Sequence, residues 1–68
     1  MNEYQEAQRK LTSLTHQLLT KEYALMTETA DTVGNAGCTE LAEIMNKYAG
    51  TTAYYRRKVE ILLRRYDD

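Results

Sequence analysis

From Cys38 to Tyr66, residues able to pack recur with an unbroken 3-4 spacing: Cys38, Leu41, Met45, Tyr48, Thr52, Tyr55, Val59, Leu62 and Tyr66. Such spacing marks a helix with one packed stripe. Read as a coiled-coil register, Cys38, Met45, Thr52, Val59 and Tyr66 fall at a, and Leu41, Tyr48, Tyr55 and Leu62 at d. Ala49-Gly50-Thr51-Thr52 is weak helix sequence, but the spacing crosses it without a change of phase. One continuous helix over about 39–66 is therefore expected, with a kink at Gly50 as the minor option.

A second amphipathic stretch precedes it. Asn2 can cap a helix with Gln5 in the reciprocal position, and Glu3 and Glu6 suit its positive end. Tyr4, Ala7, Leu11, Leu14, Leu18 and Leu25 then share one face, with Leu19, Met26, Ala30 and Val33 beside them. Together they cover an arc of about 180°, wider than contact with one neighbouring helix needs. Val33-Gly34-Asn35-Ala36-Gly37 breaks the pattern, with Gly34 as the expected left-handed residue past the helix end.

These signals predict an all-α single domain: helix 1 over about 3–33, a loop at 34–38 and helix 2 over about 39–66, paired as an antiparallel hairpin. The expected pairing sets Leu11 and Leu14 against Val59 and Leu62, Leu25 and Met26 against Met45 and Tyr48, and Val33 against Leu41, with His16 beside Arg56. The width of the helix 1 stripe predicts a further partner, most simply a second copy completing a four-helix bundle. Leu11, Leu18, Leu25, Met45, Tyr48, Tyr55, Val59 and Leu62 are the expected core and oligomer contacts.

Composition supports a helical class and restricts what can stabilise it. The chain has 68 residues, no proline, three glycines, one cysteine and one histidine. A chain this short is marginal alone, and neither an internal disulfide nor a structural zinc set is available to it. No basic-then-apolar leader and no long apolar run is present, so a reduced cytoplasmic setting without a membrane span is expected.

Charge changes the picture further. Residues 1–46 hold seven acids and three bases, whereas 47–66 hold six bases and one acid. The basic half is local, although the formal net charge is only −1.

Candidate chemistry is sparse. Glu22 lies in the apolar arc without a second carboxylate or histidine one turn away, so a hydrogen-bonded register-setting role, with Tyr48, Thr52 or a lysine as donor, is favoured over catalysis. His16 and Cys38 fall near opposite ends of the hairpin, which separates them as a catalytic pair. The glycines form no phosphate loop, since neither a lysine nor a strand accompanies them. No enzyme activity, metal or cofactor is expected.

Tyr54 is the informative aromatic, because it points away from the seam in line with Lys47, Lys58, Ile61 and Arg65, flanked by Arg57 and Arg64. Apolar anchors ringed by cations suit the acidic surface of another protein. The expected function is thus binding of a partner protein through Tyr54, Arg57, Lys58, Ile61, Arg64 and Arg65, so as to inhibit, sequester or chaperone it. Isolated exposed residues or homodimer contacts are the plainer readings of the same side chains. Nucleic-acid binding is less favoured, since the remaining surface is acidic, and a membrane surface is disfavoured because the bundle claims the apolar face.

In length and layout alone the chain is similar to two hairpin families. One is the plasmid copy-control hairpin, which resemblance would imply an RNA-binding four-helix bundle. The other is the small co-chaperone of type III secretion needle subunits, resembled through Val59-Glu60-Ile61-Leu62-Leu63 and Tyr66 closing a second helix. No motif matches residue by residue, and neither likeness carries functional residues over.

Overall fold

The computed structural model describes residues 2–67, leaving aside the Asp67 side chain, and shows two helices packed against each other. Asp68, which the charge count above includes in the whole-chain total, lies outside them. Helix α1 spans Glu3–Asn35 and α2 spans Thr39–Asp67. The hairpin is a rod of 53 × 14 × 13 Å with a radius of gyration of 15.6 Å. A compact domain of this length would have a radius near about 11 Å.

The start of α1 follows its sequence. Asn2 accepts a hydrogen bond from the Gln5 backbone N–H at 2.8 Å, and its own N–H donates to the Gln5 side chain at 3.3 Å. This reciprocal pair satisfies two donors that the helix itself cannot.

The end of α1 differs from expectation by two residues, and the reason is local. Gly34 is still helical; the left-handed residue is Gly37, at φ 87°. The Cys38 N–H donates to the Val33 carbonyl at 2.9 Å, and the Gly37 N–H to the Gly34 carbonyl at 3.0 Å. Those paired bonds form a Schellman motif, which needs a residue free to adopt positive φ at the position Gly37 occupies. Cys38 then precedes α2, its carbonyl accepting from the Ala42 N–H at 3.0 Å. Gly34 lies against α2 instead: a Cβ built there would meet the Ala42 Cβ at 3.6 Å, an ordinary van der Waals contact.

Helix α2 runs through Gly50 without a break. Its register against α1 is not the expected one. Thr52 meets Met26, its hydroxyl 3.5 Å from the sulfur, and Arg56 Nε donates to the Thr20 hydroxyl at 2.8 Å, a turn along from His16. Helix α2 therefore sits about one helical turn nearer the loop than expected. Continued at the same rise, its last residue comes level with about residue 10 of α1, so the first two turns of α1 project beyond it. Accordingly Tyr4 is 72% exposed.

The seam is also rotated. Among the described residues only Ala30, Ala49 and Thr52 are buried, while Leu19, Met26, Val33, Ala42, Met45, Val59 and Leu63 are half-buried. On α2 the packed row is Ala42, Met45, Ala49, Thr52, Arg56, Val59, Leu63 and Tyr66. The expected a positions Met45, Thr52, Val59 and Tyr66 face α1, but the d positions Leu41, Tyr48, Tyr55 and Leu62 do not. Their neighbours one residue along replace them, because small side chains at 42 and 49 let the helices approach more closely than Leu or Tyr would.

Two glycine substitutions test this account by thermal unfolding followed by circular dichroism. Gly37→Ala is expected to destabilise by about 1 kcal/mol, since alanine is strained at positive φ. Gly50→Ala meets open space inside a helix and is expected to stabilise by up to about 1 kcal/mol. The reverse order would contradict the turn geometry.

Candidate interaction surface

Small residues in the seam leave the large ones outside it. Leu11, Leu14, Leu18 and Leu25 are exposed on α1, with Leu11 at 64%; Leu41, Ile44, Tyr48, Tyr55 and Leu62 are exposed on α2, with Tyr48 at 60%. At about 100° per residue, each set is rotated about a quarter turn from its own seam, and in the same sense. In antiparallel helices equal senses bring both stripes to one broad face. The hairpin is thus amphipathic as a unit, with two parallel apolar stripes side by side.

The opposite broad face is polar. Thr20, Arg56, Arg57, Glu60 and Arg64 lie on it or at its rim, and Arg56 bridges to α1 through Thr20. Arg64 forms an ion pair with Glu60 at 3.3 Å on the same helix. The pair is largely solvated and contributes little.

The row expected to bind a partner lies on the outer edge of α2. Tyr54 and Ile61 are exposed there. Lys58 places its ammonium 5.2 Å from the centre of the Tyr54 ring, and Tyr55 meets that ring edge-on at 5.3 Å. Tyr54 is thereby held by its own helix, presenting a ring already carrying a cation. Arg57, Glu60, Ile61 and Arg64 line a small notch beside it. Lys58 and Arg65 occupy the rim between this edge and the apolar face.

The residues considered for chemistry remain apart. Cys38 is exposed in the turn, and His16 packs midway along α1. Its Nε2 atom is buried without a hydrogen-bond partner. Glu22 is half-buried at the seam edge; the Thr52 hydroxyl expected to serve it points to the Met26 sulfur instead. Six threonine hydroxyls, those of Thr12, Thr15, Thr20, Thr27, Thr32 and Thr51, bond carbonyls of their own helix one turn back. Among the described residues no cluster of three or more His, Cys, Asp or Glu side chains could hold a metal ion, and no helix is long and apolar enough to cross a membrane.

No protein-family model, curated protein or solved structure matches the chain. The sequence pointed to most of the apolar surface as combined core and oligomer contacts; Ile44 was missed, and its spacing to Leu41, Tyr48 and Tyr55 was the available signal.

His16 provides a test of how polar the seam is. Replacing it with leucine removes an unpaired buried nitrogen while keeping an apolar side chain, so His16→Leu is expected to stabilise by about 1 kcal/mol in urea unfolding. Destabilisation by a similar amount would show that the ring nitrogen has a partner after all.

Proposed function

We propose that this chain is a non-enzymatic interaction protein that works as a homodimeric four-helix bundle and binds another protein through the outer edge of α2. The observation carrying the dimer is the apolar face, with its two stripes of leucine, isoleucine and tyrosine. Exposed apolar surface of this extent is uncommon on monomers and common where chains meet.

Area supports the same reading. The hairpin exposes 5467 Å², whereas a compact monomer of 7.9 kDa exposes about 4,400 Å². The difference, about 1,000 Å², is similar to the roughly 800 Å² that each partner buries in a standard stable interface. A second copy is a natural occupant, because an interface repeated by twofold symmetry needs only one self-complementary surface.

Joining two apolar faces leaves the outer edge of α2 uncovered. Tyr54 and Ile61, with Arg57, Lys58, Arg64 and Arg65 around them, then form a surface suited to an acidic partner protein. Binding there inhibits, sequesters or chaperones that partner. The same cations would serve RNA, but acids on the rest of the hairpin oppose a phosphate backbone.

Light scattering coupled to size exclusion tests the dimer. A two-chain mass is expected, with Leu18→Asp plus Tyr48→Asp giving monomer or concentration-dependent unfolding; a folded wild-type monomer overturns the reading. For the outer edge, Tyr54→Ala plus Arg57→Glu should keep the dimer and reduce capture of an acidic host protein at least tenfold, the effect of about 1.4 kcal/mol. Undiminished capture refutes that assignment, and salt-sensitive binding of generic RNA would replace the protein partner.

A further inference from the structure

We propose that the two copies lie in opposite directions, with their loops at opposite ends of the bundle. This rests on the dimeric reading above and specifies its geometry. Two hairpins can join apolar face to apolar face about a twofold axis in two ways. If the axis runs along the helices, the loops meet at one end and α1 packs over α2 of the second copy. With the axis across the helices, the loops separate and each helix packs beside its own counterpart.

Apolar burial has little direction and does not choose between these arrangements. Charge does, because each hairpin has ends of opposite sign. From Tyr23 to Ala53, the stretch around the loop in this register, the charged residues are Glu28, Asp31, Glu40, Glu43 and Lys47, a net of three negative charges. The open end holds Arg9, Lys10, Arg56, Arg57, Lys58, Arg64 and Arg65. Among the described residues its acids are Glu3, Glu6, Glu60 and Asp67, so that end remains positive. The helix dipoles of an antiparallel pair nearly cancel and leave this contrast in place.

Loops together would bring the rim residue Glu40 of one copy toward Glu28 of the other and place both acidic loop ends side by side, doubling the negative charge at one end. Loops apart bring each acidic end beside a basic one. Glu40 lies on the same rim of the apolar face as Lys58 and Arg65, so running α2 beside its counterpart brings the Glu40 end of one rim to the Arg65 end of the other. With a rod 53 Å long and screening over about 10 Å at ordinary salt, each end is decided by its own neighbours. Like-charge contact is the stronger discriminator, since it penalises the wrong assembly.

Cys38, the one cysteine in the chain and exposed in the turn, allows a direct test on the wild-type protein. Nitroxide labels on Cys38 are expected to lie about 40–50 Å apart by pulsed electron resonance if the loops are at opposite ends, as the rod length of 53 Å dictates. Unlabelled dimer is expected to form no disulfide across its own interface under mild oxidation. A separation under about 25 Å, as for helices packed about 10 Å apart, or rapid quantitative Cys38 disulfide formation, overturns the orientation while leaving the dimer intact. A monomer in light scattering overturns both. Glu40→Lys plus Glu43→Lys should add a short-distance population; distances that stay entirely long would remove charge as the cause.

Discussion

Everything in this hairpin depends on the close approach of its two helices along a line of small side chains. Ala30 and Ala49 are each only 3% exposed, Thr52 is 8% exposed, and Gly34 sits so near Ala42 that the two Cβ positions would be 3.6 Å apart. A narrow seam gives many contacts per unit length but buries little apolar area, since alanine and glycine have little to bury. The large side chains, displaced from the seam, become the outer surface. Fold and exposed apolar face are thus two results of one packing choice.

That choice also distributes polarity. Threonine and arginine can stand in the seam because their polar atoms find partners: Arg56 leaves it to meet Thr20, and Thr12 and Thr20 return their hydroxyls to their own helix. One broad face then carries leucines and tyrosines and the other carries charge. A two-helix unit built this way behaves like one half of a larger core. The outer edge of α2, with Tyr54 and Ile61 exposed, belongs to neither face.

The sequence was most legible where local chemistry decides. Asn2 and Gln5 marked the first helix start, the unbroken spacing carried α2 across Gly50, and the glycine-rich stretch located the turn. Position within the turn was harder to read, since Gly34 and Gly37 both offer positive φ and only the hydrogen bonds to Val33 and Gly34 separate them. The seam itself was misread by one residue. Rows at 41, 48, 55, 62 and at 42, 49, 56, 63 are adjacent on the helix, and hydrophobicity favours the first. It reports which side chains avoid water, without saying whether the same chain or another covers them. Within the stretch that looked like weak helix sequence, Ala49 packs in the seam at no cost in propensity, whereas Gly50 faces open space and costs about 1 kcal/mol.

The Schellman turn has a kinetic consequence. By fixing Val33 to Cys38 and Gly34 to Gly37, it brings Gly34 and Ala42 together across a very short loop, so the first contact between helices is entropically the cheapest one available. Each later contact, Met26 with Thr52 and then Thr20 with Arg56, closes a slightly larger loop already drawn in by the one before. The hairpin can zip from its turn outward, on the microsecond to millisecond scale typical of helical topologies. Pairing within the chain then assembles the apolar face as the helices close, from the turn outward.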